Sequence, residues 1–377
     1  MTDFPERAKR VSAIANEYAD AGDKQGFLSD PVVSALHREG LYGMWVPRAL
    51  RGEELAPARA VQVIESVAYG DPSAGWVLMA SALAIGTGAA YLGEEAVREL
   101  FGGDRFPVIA GQGTRPGAAT PVECGYRLSG AWSFASGIKH ATHIHTLGVI
   151  EGTGEARIFV VPVAQAKLID NWDVLGLRAT GSIDYTIDSV FVPEAYTHPA
   201  GTEEPKRGGS LYLIGIAGFA MICHTGWACG IGRRLLDEIA RYVSTRVGRA
   251  GIQSSSESFQ EDYARLEGAY RAARALVQET WQEVQLVLDK GSKLSVRQNT
   301  LIRLAMTQVT SAAHENAIFA YKSAGTTAMR AGTLQRLFRD MHAGTQHIVV
   351  SPPVLRAIGR ELAGLADGQQ SRFLELL

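Results

Sequence analysis

Apolar and polar positions recur on two different periods along this chain, and the change of period divides it into three stretches. From Glu6 to about Gly102 the apolar positions return every three to four residues. A charged amphipathic opening is followed by Pro31 to Gly40, with proline near the start and glycine at the end, which is how helices are punctuated. The run through Trp76, Leu78, Met79, Leu83 and Ile85 is apolar nearly all round, which predicts a helix buried among others. Between about Phe106 and Val192 the period falls to two. Tyr126 and Leu128 alternate with polar neighbours, as do Ile183, Tyr185 and Ile187, while Arg157 to Val163 and Ser189 to Val192 are rich in β-branched and aromatic residues. No helical segment separates these strands, so the expectation is an antiparallel sheet rather than βαβ crossovers.

After the Gly, Pro and charge-rich stretch Pro199 to Ser210 the helical period resumes. Tyr263, Leu266, Tyr270, Ala273, Val277, Trp281, Val284 and Leu288 form a stripe at steps of three and four, and a second long helix is predicted from about Ser295 to Ser323, closed by Gly325. Helices of ~40 Å, at 1.5 Å per residue, are long for a lone domain and point to a bundle whose far faces are covered by other subunits. The predicted class is therefore α+β: a helical unit over 1–105, an antiparallel β domain over 106–200 and a helical bundle over 201–377, without internal repeats or low-complexity tracts.

Composition narrows the partners. The 377 residues are 46% hydrophobic and 20% charged, a globular balance. Lys plus Arg (37) against Asp plus Glu (39) leaves a formal charge of −2, so no chain-wide basic field draws nucleic acid or an anionic membrane. Cys124, Cys223 and Cys229 are too few and too unevenly spaced for a disulfide framework or a four-cysteine zinc site, and read as reduced thiols of a cytoplasmic protein. No apolar run in the first thirty residues resembles a signal peptide. Trp76 to Tyr91 and Leu211 to Ile231, interrupted by glycines and by Ser81 or His224, are expected to fall short of the ~20 clean residues of a membrane span.

Candidate chemistry sits in two segments. The glycines of Gly111-Gln-Gly113-Thr-Arg-Pro-Gly117 are mis-spaced for a dinucleotide fingerprint and are followed by strands, and no P-loop or Gly-x-Ser-x-Gly elbow occurs. Of His140, His143 and His145, the last two would share one face of a strand, but Ala141 to Leu147 offers no third ligand or carboxylate there, so no metal site is expected. Gly130-Ala-Trp132-Ser-Phe134-Ala-Ser136-Gly137 sets an aromatic pair and a hydroxyl beside a glycine, the polar edge and apolar wall an isoalloxazine ring requires, although a turn with core aromatics would read the same way. In Leu334 to His347, His342 and His347 bring two imidazoles within five residues, which suits a general base.

Together with Asp71-Pro-Ser73-Ala-Gly-Trp76, Trp172-Asp-Val-Leu-Gly176-Leu-Arg178-Ala-Thr180-Gly181-Ser182, Phe259-Gln260 and Arg339-Asp340, these segments resemble the acyl-CoA dehydrogenase superfamily over nearly the whole chain. The resemblance is to its oxygen-using branch, the oxygenase halves of two-component flavin-dependent monooxygenases. It implies a helical domain, a β domain and a C-terminal four-helix bundle, assembled as a homotetramer. It also implies reduced flavin (FADH2 or FMNH2) delivered by a separate NAD(P)H:flavin reductase, O2 as co-substrate, and a C4a-hydroperoxyflavin that hydroxylates or epoxidises a small aromatic compound. By the same resemblance Ser136 hydrogen-bonds the flavin N5 region, Gly137 belongs to the cofactor-binding set, Trp132 bounds the ring, Arg178, Thr180 and Ser182 sit where the β-domain loop approaches the cofactor, Phe259 and Gln260 reach a neighbouring subunit's flavin, and His347, with His342 as second choice, is the base.

The dehydrogenases of the superfamily use a glutamate to remove the substrate α-proton. Here no acid lies between Met341 and Leu355 or within Leu211 to Gly232, so acyl-CoA dehydrogenation or oxidation is the weaker alternative. Met79 to Ala89 also lacks the histidine that several relatives carry on this helix, which leaves an indole, or an amine undergoing N-hydroxylation, open beside a phenol.

Overall fold

The computed structural model describes residues 3–245 and 256–366. Five helices open the chain: α1 (Phe4–Gln25), α2 (Asp30–Arg38), α3 (Pro57–Gly70), α4 (Pro72–Tyr91) and α5 (Glu94–Phe101). The predicted segment Pro31 to Gly40 is α2. Helix α4 starts abruptly because Asp71, in extended conformation, accepts the Ala74 N–H at 3.1 Å, and Pro72 supplies a pre-set first residue. As its apolar circumference requires, α4 is buried on nearly every side.

The middle of the chain is one seven-stranded sheet of β1 (Ile109–Val122), β2 (Gly125–Trp132), β3 (His143–Ile150), β4 (Ala156–Pro162), β5 (Lys167–Ile169), β6 (Asp184–Pro193) and β7 (Thr197–Pro199), in the order β5-β6-β2-β1-β3-β4-β7. It is mixed, which corrects the antiparallel expectation. Strand β1 pairs antiparallel with β2 but parallel with β3, Ile109 opposite His143 and Ala110 opposite Ile144. A parallel pair needs a crossover of a dozen or more residues, commonly a helix. Here strand β2 and the short turn Ile138–His140 make that crossover, so the absence of a helical period could not exclude it.

Five helices follow: α6 (Gly215–Ser244), α7 (Glu257–Leu288), α8 (Val296–Ala324), α9 (Thr333–Gly344) and α10 (Pro352–Leu362). The α7 stripe is buried from Leu266 to Leu288, with Tyr263 half-buried at its start. Helix α8 opens on a reciprocal cap, in which Gln298 N–H donates to Ser295 Oγ and Ser295 N–H donates to Gln298 Oε1, and it ends at Gly325, whose φ of 57° favours glycine. The shorter α9 and α10 both pack on α8 and divide the fourth place of the bundle between them.

One hydrophobic core runs through both helical stretches, with Ile64 and Ala68 of α3 against Gly226 and Gly230 of α6. By length and composition α4 and Ser210–Ser244 could each cross a membrane, contrary to the sequence expectation, because glycine and alanine lower their apolarity little. In this fold 83% of each apolar window is buried inside the protein, and both serve as core helices.

Candidate active site

Four rings meet where α4, α6 and the end of α9 converge. Trp76 of α4 makes edge contacts with Trp227 (5.1 Å between centroids), His224 (5.9 Å) and His347 (5.3 Å), and the rings of His224 and His347 stack at 5.3 Å with 19° between planes. Trp227 is pinned by its Nε1–H to the Pro72 carbonyl at 3.0 Å. His224 is fully buried, and neither of its ring nitrogens has a hydrogen-bond partner among the described residues, a condition that costs free energy unless a ligand answers it. His347 Nδ1 accepts the Val349 N–H at 3.4 Å, so in the neutral ring the proton sits on Nε2.

Trp76 also joins this box to a chain of hydroxyls. Its Nε1–H donates to Ser136 Oγ at 3.1 Å; Ser136 and Ser182 are linked at 2.8 Å, Ser182 and Thr180 at 2.7 Å, and Thr180 donates to the Leu177 carbonyl at 2.7 Å. The loop carrying Thr180 and Ser182 is held to α9 by Asp340, which accepts the Leu177 N–H at 2.6 Å, and by Arg339, which donates to Leu175 O and to Asp23 of α1. Gly176 permits this docking, since a Cβ there would lie 2.1 Å from the Arg339 carbonyl.

The electrostatics follow from burial. His347 is pushed down to about 4 by desolvation, and His224 falls well below its ordinary value through desolvation and the neighbouring His347, so both rings are neutral near pH 7. Among the described residues no carboxylate acts on either ring. Two buried acids stand behind the box instead: burial raises Asp340 to about 6, and burial together with Asp340 raises Asp71 well above its ordinary value. Among the described residues no group of three His, Cys, Asp or Glu side chains is arranged to hold a metal ion.

The expected site residues divide. Ser136, Thr180, Ser182 and His347 come together around Trp76. Gly137, at φ 79°, lends its N–H to Thr180 O at 2.8 Å and ties the turn to that loop. Arg178 staples the loop by donating to Asp23 O and Val174 O. His342 turns away, its Nδ1 3.2 Å from His314 Nε2 and its ring against Phe338. At the start of α7 Phe259 stacks on Phe319 and is tilted against Tyr263, and Gln260 lies beside it, both remote in sequence and element from the four-ring box of this protomer.

Trp132 requires a correction. It is buried in the sheet core, stacked on Tyr185 at 5.3 Å, with Nε1–H bonded to Leu147 O, and Gly117 and Gly130 crowd its remaining edge, so no face is free to bound a ring. Phe134, two residues on, is 67% exposed and holds a left-handed φ of 67°, a strained conformation for an aromatic residue that marks functional positions. It stands edge-on to Trp172 at 6.1 Å. Phe134→Ala is therefore expected to weaken flavin binding about tenfold, with Trp132→Phe altering stability rather than affinity; fluorescence titration with reduced and oxidised flavin separates the two.

Sequence reasoning missed His224, noted only as an interruption of an apolar run. A lone imidazole on a helix otherwise buried all round was the available signal, since it can lie there only paired or facing a ligand.

Residues 7–102 match the acyl-CoA dehydrogenase N-terminal domain and residues 222–352 the acyl-CoA dehydrogenase C-terminal domain. The indole-3-acetate monooxygenase of Pseudomonas putida is 30% identical over 335 residues, 86% of this chain and 84% of that protein. The chain belongs to the flavin-dependent monooxygenase branch of the acyl-CoA dehydrogenase superfamily. Its fold matches that of 3-HSA hydroxylase from Rhodococcus sp. RHA1 with a TM-score of 0.87 at 22% identity, covering 98% of both chains. It also matches XiaF from Streptomyces sp., solved with FADH2, with a TM-score of 0.85 at 20% identity over 96% of this chain and 95% of the other.

As an oxygenase component of this branch the protein uses reduced flavin and O2. The residues present suit the cofactor: an exposed aromatic in a strained turn offers apolar cover and a buried hydroxyl chain offers a polar edge.

Proposed function

We propose that this monooxygenase hydroxylates or epoxidises a small aromatic compound that carries a ring N–H or O–H, of indole or phenol type. A separate NAD(P)H-dependent reductase delivers its FADH2 or FMNH2, and the working form is a cytoplasmic homotetramer. The observation that carries the substrate class is the box of two neutral imidazoles between two tryptophans, with no carboxylate acting on it. Contacts with the half-buried Trp76 suit a flat aromatic ring, and the indole-3-acetate monooxygenase relative is named for an indole. Small side chains on α7 and α8, Ala269, Ala272, Ala273 and Ala312, leave a groove into which a neighbouring helix can pack, which supports assembly through the bundle.

Reduced flavin, when bound, would supply the two electrons that activate O2, one oxygen atom passing to the substrate and the other leaving as water; the chain's own residues do the rest. Phe134 covers the ring and Ser136 meets its N5 edge, and the buried walls of α4 and α6 keep water out, which prevents wasteful release of peroxide. His347, with Nδ1 capped by Val349, presents an Nε2–H and donates. His224 keeps an uncommitted lone pair and accepts the substrate's N–H or O–H, drawing its proton away as the ring gives up electron density.

The test is aerobic turnover with a flavin reductase and a panel of indoles, phenols, amines and acyl-CoA thioesters, scoring oxygenated product against hydrogen peroxide. Indoles or phenols are expected to give product with little peroxide. Amine oxygenation alone, or flavin reduction by an acyl-CoA, would replace this reading.

A further inference from the structure

The hydroxyl chain has a fixed direction, and the direction follows from its two ends. At one end the Leu177 carbonyl can only accept; Thr180 Oγ1 lies 2.7 Å from it, so the single hydroxyl hydrogen of Thr180 is between them. Thr180 Oγ1 can then only receive from Ser182 at 2.7 Å, and Ser182 Oγ can only receive from Ser136 at 2.8 Å. At the other end the indole Nε1 of Trp76 can only donate, and it donates to Ser136. Reversing any one hydroxyl would set two lone pairs or two hydrogens against each other. Ser136, Ser182 and Thr180 are 5%, 3% and 1% exposed, which leaves bulk water little access to relieve such a conflict. The accepting end is itself anchored, because Asp340 holds the Leu177 N–H at 2.6 Å.

Ser136 Oγ has therefore spent its hydrogen on Ser182 and keeps one lone pair beyond the one facing Trp76. N5 of a reduced flavin carries a hydrogen and donates, whereas N5 of an oxidised flavin carries only a lone pair. We infer that Thr180 and Ser182 act as positioning residues that lock Ser136 as an acceptor, and so make the site select reduced over oxidised flavin. This rests on the placement of the flavin N5 edge at Ser136 proposed above. It assigns to two hydroxyls a discrimination that lets the protein take reduced flavin from a pool containing both forms and release the oxidised product.

The experiment measures dissociation constants for FMNH2 and FADH2 under anaerobic conditions, and for FMN and FAD in air, by fluorescence or absorbance titration. The readout is the ratio of oxidised to reduced dissociation constants, with circular dichroism to verify folding. In Thr180→Val the terminal donor is lost, Ser182 turns to donate to Ser136, and the Ser136 hydrogen is freed for an oxidised N5. The ratio is expected to fall about tenfold. Thr180→Ser, which restores the hydroxyl, should keep the wild-type ratio, and Ser182→Ala should lower it as Thr180→Val does. A wild-type ratio in both Thr180→Val and Ser182→Ala, with Ser136→Ala still weakening flavin binding, overturns the inference and leaves the N5 placement standing. If Ser136→Ala changes neither constant, the placement itself is wrong and the inference falls with it.

Discussion

His224→Phe is expected to lower product formed per reduced flavin by about 10²-fold or more, within the range that general acid and base groups contribute, while flavin affinity stays within about twofold. Phenylalanine keeps the flat ring and apolar packing of a fully buried position and removes only the nitrogens. The two imidazoles of the box are not equivalent. His347 caps its own turn through Nδ1, which fixes the proton on Nε2 and makes that atom a donor; His224 has both nitrogens free of protein partners. A substrate N–H or O–H can therefore be answered only from His224, and an N-methylated or O-methylated substrate has nothing to give it. The measurement is single-turnover product yield for each substrate and its methylated counterpart, in wild type, His224→Phe and His347→Phe. The methylated substrate should be nearly indifferent to substitution at 224 and still sensitive at 347. Equal losses for both substrates in His224→Phe would mean that the ring serves only to pack the box.

The residues that sequence pattern placed well are those whose position depends on neighbours close in the chain. The α7 stripe, the start of α8 at Ser295 and the glycine stop at 325 follow from local spacing and capping chemistry. What pattern left undecided was set at longer range. Trp132 and Phe134 belong to one motif, of which the sequence resemblance names Trp132 as the flavin wall, but β2 ends at Trp132, whose pairing with Tyr185 turns it into the core, and Phe134 lies past the end in the turn. The strand's last paired residue is fixed by β6, which comes some fifty residues later. His342 and His347 likewise sit close in sequence, yet α9 ends between them, at Gly344, so one ring faces α8 and the other faces α4. The parallel contact of β1 with β3 and the meeting of His224 with His347 share that origin, since both join elements distant in the chain.

Lowering the pH from 7.5 to 5 is expected to destabilise the folded chain by several kcal/mol, seen as a lower urea midpoint or melting temperature. His145 and His198, packed on the sheet, are 4% and 1% exposed, and burial pushes them down to about 3 and about 4. His224 moves the same way. For each, the unfolded chain takes up a proton as pH falls through 6.5 while the folded chain does not until near its depressed value. Stability is thus intact above about 6.5 and declines steadily below it. At pH 5 the difference for His145 and His198 is about 2 kcal/mol each, on 1.36 kcal/mol per pH unit. Asp340 works in the opposite sense: raised to about 6, it binds a proton in the folded state before the unfolded state does, which returns about 1.4 kcal/mol at pH 5. Asp71 shares that direction. The histidines outweigh Asp340, and the surplus is a large share of the 5–15 kcal/mol typical of a folded domain. Asp340→Asn, neutral at every pH, should therefore lose stability more steeply on acidification than wild type, and His198→Gln less steeply. Coincident pH profiles for all three proteins would show that these buried groups do not govern the acid response.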